Sequence, residues 1–135
     1  MKIKLLLLAL FSISIFTAQE TNIQPPVIVA KIPLGSTVQF ENTLVTFLKV
    51  IEDSRCPSDV TCIWAGQAKV SVSVTSNEET TEKELIFHGS SIGRESENTL
   101  FVSETKTYIG YRLSPYPIST EPVGKRKYNL EVFIK

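Results

Sequence analysis

Apolar and polar residues alternate along the middle of the chain. From Trp64 to Thr75 the even-numbered positions are Trp, Gly, Ala and Val, whereas the odd-numbered positions are mostly Gln, Lys, Ser and Thr. Because successive side chains of a strand point to opposite faces, this period of two predicts a half-buried strand and not a helix. The same alternation ends the chain, where the apolar positions are Tyr128, Leu130, Val132 and Ile134.

Six shorter segments also have strand character and are separated by turns. They are Val27–Ile32, Thr37–Glu41, Leu44–Ile51, Glu84–His88, Thr99–Val102 and Thr107–Leu113. Gly89–Asn98 is rich in Ser and Gly and is expected to be a flexible connection. Ser114–Lys127 contains Pro115, Pro117 and Pro122 and is expected to be a long irregular loop. No segment has a sustained period of 3.6, so helix should be almost absent.

Eight short strands at this spacing, with no internal repeat, predict an all-β fold in a single domain, residues 27–135. An antiparallel β-sandwich of about eight strands, immunoglobulin-like, is favoured, and a small β-barrel is the alternative. The residues expected between the two sheets are Phe40, Phe47, Trp64, Val70, Val72, Phe87, Leu130 and Val132.

The first 18 residues are typical of a secretory signal peptide. Lys2 and Lys4 precede a mainly apolar run, and the small residue Ala18 follows it. The run has about 12 residues, whereas a bilayer-spanning helix needs about 20, so a cleaved signal is expected instead of a membrane anchor. Residues 19–26 would then be a short linker. The sequence therefore predicts an exported protein, periplasmic or extracellular, with no membrane span in its mature chain.

Composition excludes several function classes. The chain has 14 basic and 14 acidic residues, so no basic excess favours a nucleic-acid partner. Its single histidine, His88, leaves little material for a His-rich metal site or for acid–base catalysis. No glycine-rich phosphate loop and no calcium-loop pattern is present. We therefore predict no cofactor, no metal and no nucleic-acid partner, and the composition gives no indication of the oligomeric state.

Cys56 and Cys62 are the only cysteines of the chain. In an oxidising compartment the default state of such a pair is a disulfide. In the loop-entropy model, closing a loop of about seven residues stabilises the fold by about 2.4 kcal/mol. A zinc site would need further ligands, and the spacing differs from the C-x-x-C of thiol oxidoreductases. We therefore predict a structural disulfide that braces a compact loop.

The two cysteines belong to a segment of unusual composition that runs from Asp53 to Gly66. It reads D-S-R-C-P-S-D-V-T-C-I-W-A-G. This segment resembles a D-S-R-C-P-x-x-V-x-C-x-W-x-G segment of small, exported, uncharacterised bacterial proteins. The resemblance implies an exported, β-rich domain, and it brings no established activity to transfer to this chain.

The first half of this segment is expected to form a turn with internal hydrogen bonds. Pro57 suits the first corner of a turn directly after Cys56. Asp53 can pair with Arg55 across the entrance of the loop, and Asp59 can accept hydrogen bonds from nearby backbone N–H groups. These residues would hold the loop in one shape.

The second half leads into the next strand. Trp64 is expected to be buried at the start of that strand, where its ring can pack against the disulfide. Gly66 is expected to permit a close approach of the backbone or a bulge. Taken together, the structural interpretation of the segment is a rigid crossover between two strands.

The functional hypothesis is that this loop presents Arg55 to a partner, either a protein or a glycan. A fixed guanidinium matches carboxylates and phosphates bidentately, and a preordered loop loses little entropy on binding. The residues expected to bind are Arg55, Pro57, Asp59 and Tyr116, the last through the Pro115–Pro117 loop if that loop shares the same end of the sandwich. The alternative hypothesis is an inhibitor of a secreted trypsin-like peptidase, acting through the Arg55 loop.

Catalysis is not predicted. Ser90, His88 and Asp53 could be combined into a hydrolytic trio, but no G-x-S-x-G elbow accompanies them. The four tyrosines could form an aromatic strip for a sugar or a peptide, although alternation between core and surface is the more common arrangement. We therefore predict a binding module and not an enzyme.

Overall fold

The computed structural model describes residues 27–135. The predicted signal peptide, residues 1–18, and the predicted linker, residues 19–26, lie outside the described residues. In chain order the elements are β1 Val27–Pro33, β2 Thr37–Phe40, β3 Thr43–Asp53, β4 Gln67–Ser76, β5 Glu79–His88, α1 Glu95–Asn98, β6 Thr99–Val102, β7 Thr107–Ser114, a 3₁₀ turn Val123–Lys125 and β8 Asn129–Ile134. Neither helical element of this range is long and apolar enough to cross a bilayer.

The strands form two antiparallel sheets of four strands each. Their orders are β1-β8-β7-β6 and β2-β3-β4-β5, and every neighbouring pair is antiparallel. The chain passes from one sheet to the other between β1 and β2 and again between β5 and β6. The predicted antiparallel β-sandwich of about eight strands is therefore confirmed.

The connectivity of the two sheets differs from that of immunoglobulin domains. Strands that are neighbours in a sheet are neighbours along the chain, except where β1 pairs with β8. Immunoglobulin domains instead use Greek-key connections. The order seen here is that of an up-and-down barrel opened along two seams, β1/β2 and β5/β6, across which the described strands form no ladder. The protein thus has the strand order of the predicted barrel alternative, but its two sheets are not joined into a closed barrel.

Side chains close part of the seam between β5 and β6. Asn98 is fully buried; its Nδ2 donates to the carbonyl of Ile86 (2.9 Å), and its Oδ1 accepts from the Ile86 N–H (2.8 Å). Lys83 Nζ donates to the carbonyl of Leu100 (2.7 Å). The single-turn helix α1, in a segment predicted to be a flexible connection, ends at Asn98 and places it at the seam.

Two strand boundaries differ from the prediction for local reasons. β4 begins at Gln67 and not at Trp64, because Gly66 has a φ of 69° that interrupts the extended backbone. β5 begins at Glu79 and not at Glu84, because its polar first half pairs with β4 along its whole length. An edge strand that faces solvent tolerates such polar residues.

The core lies between the two sheets and contains most of the residues predicted for it. Phe40, Phe47, Val70, Val72, Phe87, Leu130 and Val132 are buried as predicted. Trp64 is 81% exposed, so the prediction that it is buried is wrong. The alternation that assigned Trp64 to the core holds only where the chain is a strand, and the strand starts after Trp64. Buried core residues that the prediction omitted include Ile32, Val45, Leu85, Leu100 and Leu113.

Candidate functional site

Two loops lie side by side at one end of the sandwich. The disulfide loop, residues 54–66, connects β3 to β4, and the proline loop, residues 115–128, connects β7 to β8. The Ser58 N–H donates to the carbonyl of Pro117 (2.9 Å), and the Ser119 N–H donates to Asp59 Oδ1 (2.8 Å). The Ser119 hydroxyl also bonds to the second oxygen of Asp59. The condition on which Tyr116 was included among the binding residues, that the two loops share one end of the sandwich, is met.

The predicted disulfide between Cys56 and Cys62 is present, with its Cα atoms 5.9 Å apart. A turn follows Cys56, in which the Val60 N–H donates to the Pro57 carbonyl (3.4 Å), so Pro57 is its first residue and Ser58, not Pro57, is its first corner. The Cys56 N–H donates to the carbonyl of Ala65 (2.9 Å), so the two arms of the loop are also bonded at the base of the bridge. The disulfide loop is therefore constrained both covalently and by its own backbone.

Gly66 allows the arms of the disulfide loop to approach closely. Its φ is 69°, and a Cβ at this position would lie 1.8 Å from the carbonyl oxygen of Ser54. The Ser54 N–H donates to the carbonyl of Gln67 (2.8 Å) directly beside this crossing. Only a residue without a side chain fits here, so the close approach predicted at Gly66 is confirmed.

Arg55 points into the protein and away from solvent. Its Nε lies 2.7 Å from Asp53 Oδ1, and its Nη2 lies 2.8 Å from Asp53 Oδ2. Nη1 donates to the carbonyl of Leu113 (2.8 Å), and Nη2 donates to that of Pro115 (3.3 Å). Only 4% of Arg55 is exposed. The hypothesis that Arg55 is presented to a partner is therefore wrong, because its charge and its donors join the end of β3 to the proline loop.

A second arginine reaches the same carboxylate. Arg126 Nη1 lies 3.3 Å from Asp53 Oδ2, and the Tyr128 hydroxyl donates to that oxygen at 2.8 Å. Arg126 Nη2 also donates to the carbonyl of Glu121 (3.1 Å), and the Arg126 side chain is 4% exposed. We call Asp53, Arg55, Arg126 and Tyr128 the buried ion cluster. It ties together both loops and both sheets beneath the disulfide.

Opposing effects act on the ionisation of the buried ion cluster. Burial disfavours the charged form of Asp53 and is the largest single influence, but hydrogen bonds from Arg55 and Tyr128 and the charge of Arg55 favour it. The net result holds the pKa of Asp53 below its ordinary value, so it is ionised at neutral pH. Burial, together with the bond to Asp53, raises the pKa of Tyr128, which therefore remains a neutral donor. The cluster is a fixed ionic anchor.

Arg126 is the member of the cluster that the sequence analysis missed. It lies two residues before Tyr128 and is in phase with the alternation that directs Tyr128 and Leu130 to the core. Extending that alternation by one step places a charge on the core face, and a buried charge needs a counter-charge. The prolines of this segment predict an irregular loop, and alternation indicates a buried face only within a strand.

Two apolar side chains of the disulfide loop, directly after Cys62, project into solvent. Ile63 is 92% exposed and Trp64 is 81% exposed, and we call this pair the apolar tip. Trp64 also lines an open groove of about 520 Å³, the tip groove, together with the disulfide, Pro57, Val60 and Tyr116. The tryptophan that was predicted to pack in the core is therefore part of the surface of the loop.

The four residues predicted to bind a partner have different positions. Pro57 and Tyr116 line the tip groove. Asp59 is exposed, but hydrogen bonds from the side chain and backbone of Ser119 engage its carboxylate and lower its pKa. The Arg55 guanidinium lies 5.0 Å from the centre of the Tyr116 ring, on the buried side of the site. Arg55 therefore supports a wall of the groove and does not line it.

The hydrolytic trio considered from the sequence is not assembled. His88 Nε2 lies 3.1 Å from Glu97 Oε2, whereas the Asp53 carboxylate is enclosed by the buried ion cluster. Within residues 27–135 no group of three or more His, Cys, Asp or Glu side chains is placed to hold a metal ion. The tyrosines do not form one strip, because Tyr108 and Tyr128 are buried in the core.

Comparisons with known proteins identify no relative. No protein-family model matches the chain, and no curated protein and no solved structure is significantly similar to it. Because one fold can serve many functions, the function has to be argued from the chemistry of the site itself.

Proposed function

We propose that this protein is an exported binding module that docks onto a protein partner through the apolar tip of its disulfide loop. The observation that carries the proposal is the exposure of Ile63 and Trp64 in a constrained loop, between the disulfide and the hydrogen bond from Cys56 to Ala65. Large apolar side chains exposed together are typical of interaction surfaces, and Trp is enriched among residues that dominate binding energy.

The rigidity of the loop supports this proposal. The disulfide, the close crossing at Gly66 and the bonds to the proline loop hold the apolar tip in place before a partner arrives. A preordered loop loses little conformational entropy on binding, so more of the contact energy is available as affinity. The buried ion cluster serves the same end, because it anchors the base of both loops.

The lining of the tip groove favours a protein partner over a glycan. None of the residues that line the groove is charged or carries a side-chain amide; their polar side-chain groups are the hydroxyls of Ser, Thr and Tyr and the indole N–H of Trp64. A sugar presents many hydroxyl groups that need well-placed hydrogen-bonding partners. A groove bordered by Trp64, Val60 and Pro57 instead suits apolar side chains of another protein.

Export is the second part of the proposal. The Cys56–Cys62 disulfide is compatible with an oxidising compartment, and the predicted signal peptide would deliver the chain there. The resemblance of residues 53–66 to small exported bacterial proteins favours the same location. The partner would then be met in a periplasm or outside the cell.

The burial of Arg55 argues against the alternative of a trypsin-like peptidase inhibitor. An inhibitor of that class would insert an exposed basic side chain into the peptidase, but Arg55 is 4% exposed and is bonded to Asp53. Releasing Arg55 would leave the Asp53 charge with less compensation in the interior, which costs several kcal/mol. We therefore do not propose inhibition.

Site-specific photo-crosslinking in the producing cells tests the proposal. A photoreactive p-benzoylphenylalanine at Ile63 should give covalent adducts with a protein, and Trp64→Ala in the same chain should abolish them. The matched control places the same group at Val102, which is 67% exposed at the opposite end of the sandwich. Adducts that are equal at both positions, or that survive Trp64→Ala, would contradict the proposal, and so would the absence of any adduct at position 63.

A further inference from the structure

We infer that a second groove of this protein binds a small amphipathic carboxylic acid, with the acid group at Arg126 and the apolar part against β3. This groove, which we call the side groove, has a volume of about 370 Å³ and lies between the second half of β3 and the end of the proline loop. It shares no lining residue with the tip groove. The inference is therefore independent of the proposed function.

The side groove lies along a part of β3 that β2 does not cover. Among the described strands, β2 pairs only with residues 43–46 of β3, so beyond them β3 has a paired strand on one side alone. Leu48 and Ile51 are the extra residues of two β-bulges in this uncovered part. Together with Leu34 and Val50 they form an apolar wall of the groove, and each of the four is partly exposed.

The floor of the side groove contains a polar atom without a partner. Asp53, Arg126 and Tyr128 of the buried ion cluster line the groove. Both carboxylate oxygens of Asp53 already accept hydrogen bonds, and the Tyr128 hydroxyl donates to one of them. The Nε–H of Arg126 is buried and has no acceptor among the described residues. Because the unsatisfied group is a donor, a ligand needs an acceptor there, whereas a cationic group would find no free acceptor.

Charge favours a carboxylate as that acceptor. The buried ion cluster contains two arginines but a single aspartate, and buried charges need compensation. Arg126 has one further acidic neighbour, Glu121, whose Oε2 lies 3.9 Å from Arg126 Nε, beyond hydrogen-bond distance. The Glu121 side chain is 36% exposed, so it can turn outwards and give a ligand access to Nε. The charges of Lys49 and Glu52, which also line the groove, are opposite in sign and offset each other.

The volume and the apolar wall determine the rest of the ligand. Small-molecule pockets typically measure about 300–1,000 Å³ and combine mostly apolar walls with a few placed polar groups. The side groove is at the small end of this range, and its apolar wall leads to one unsatisfied donor. An aliphatic acid of medium length matches both features, because its tail is removed from water while its carboxylate meets the guanidinium. Octanoate is therefore a suitable probe.

Calorimetric titration of the purified protein with octanoate, below its micelle concentration, provides the test. One saturable site should be found. Octanol and octylamine have the same tail but no anionic acceptor, so they should bind at least about ten-fold more weakly. In nitrogen–proton correlation spectra the Arg126 Nε–H signal should shift as octanoate binds. An absence of saturable binding, or equal affinity for the three probes, would overturn the inference.

Two leucines of β3 provide a matched pair of variants that locate the site. Leu48 and Leu44 are both 41% exposed, but only Leu48 lines the side groove. Leu48→Asp should weaken octanoate binding by about ten-fold or more, because it removes an apolar contact and adds a like charge. Leu44→Asp should leave the dissociation constant unchanged. Binding that both variants weaken equally would contradict the assignment to this groove.

Glu121→Gln tests the role of Arg126 while keeping the arginine in place. This variant preserves the size of the side chain and removes the charge that competes for Arg126 Nε. Octanoate should therefore bind about two- to five-fold more tightly than to the unmodified chain. A surface that holds octanoate through its tail alone would show the same affinity in both proteins, and that result would rule out Arg126 as the group that receives the acid.

Discussion

The two ends of the sandwich contain the same chemical trio in opposite surroundings. At the disulfide end, Asp53 accepts a hydrogen bond from the Tyr128 hydroxyl (2.8 Å) and pairs with arginines. At the other end, Glu41 accepts from the Tyr108 hydroxyl (3.0 Å) and pairs with Lys106 (3.4 Å). The Asp53 side chain is fully buried, whereas those of Glu41 and Lys106 are 43% and 48% exposed.

This difference shows that burial, and not the set of contacts, determines what the trio contributes. Water screens an exposed ion pair and solvates either partner if the other is lost. A buried charge that loses its partner has no such compensation. The end that supports a long projecting loop has the buried trio, whereas the end with tight turns has the exposed one. The buried ion cluster is therefore the anchor of the candidate site.

Removal of the two carboxylates should give the largest contrast. Asp53→Asn leaves the buried Arg55 without its counter-ion and Arg126 with only the half-exposed Glu121 at 3.9 Å, and it should destabilise the fold by about 3–5 kcal/mol, or lower Tm by about 12–20 °C. Glu41→Gln is the matched control and should leave the unfolding transition almost unchanged, because Lys106 is solvated and the new amide oxygen can still accept the hydrogen bond of the Tyr108 hydroxyl. Thermal unfolding followed by circular dichroism measures both. Equal losses of stability in the two variants would contradict the role given to burial.

Loss of the disulfide should have the next largest effect. The double variant Cys56→Ser/Cys62→Ser should lose about 2.4 kcal/mol, because the unfolded chain regains the entropy of a loop of about seven residues. Urea unfolding at equilibrium measures this loss. Because the buried ion cluster lies beneath the bridge, the fold should survive, and a variant that cannot fold would show that the cluster is not a sufficient anchor.

Two of the three glycines with positive φ in the described residues, Gly66 and Gly35, separate backbone strain from steric exclusion. Gly66→Ala should cost about 2 kcal/mol or more, because the new Cβ meets the Ser54 carbonyl oxygen and the backbone must move. Gly35 also has a positive φ, 81°, but a Cβ there meets no atom within 4 Å, so Gly35→Ala should cost only about 1 kcal/mol. Urea unfolding of both variants provides the comparison, and a smaller loss at Gly66 than at Gly35 would refute it.

Acid should destabilise both ends of the sandwich, through Asp53 at one end and Glu41 at the other. In the folded protein the pKa of Asp53 is below its ordinary value of 3.8, so the unfolded chain binds more protons near this pH. Stability is therefore lost as the pH falls from 3.8 through the lower pKa of the folded protein. The pKa of Glu41 is also lowered, chiefly by the Tyr108 hydroxyl. Urea midpoints measured between about pH 6 and about pH 2 should show a weaker pH dependence in Asp53→Asn. An unchanged dependence in that variant would exclude Asp53 as a source of it.

The smallest change in stability is expected at the most conspicuous residue of the site. Trp64→Ala removes a side chain that is 81% exposed, so the free energy of unfolding should change by less than about 0.5 kcal/mol. Urea unfolding of this variant can be followed by circular dichroism. A loss of several kcal/mol would mean that Trp64 packs in the core, as the alternation in the sequence suggested, and would remove the basis of the apolar tip.

The strands, the sandwich and the disulfide can be predicted from the amino-acid sequence. Alternation within a segment is a local property that sets which face of a strand is buried, so Val70 and Val72 could be assigned to the core from their neighbours alone. The pair Cys56 and Cys62 are close in sequence, and an oxidising location is enough to predict the bridge. The turn after Cys56 and the close approach at Gly66 could also be predicted, because proline and glycine have strong backbone preferences of their own.

The orientation of the side chains in the candidate site depends instead on contacts that form in the folded protein. Arg55 is buried because its guanidinium donates to Asp53 and to the carbonyls of Leu113 and Pro115. Leu113 and Pro115 lie far along the chain, and the order of the strands brings them to the same end of the sandwich. Trp64 is exposed because the strand begins only after Gly66, where Ser54 crosses the backbone. Both outcomes depend on contacts between distant segments, and no local pattern encodes those contacts.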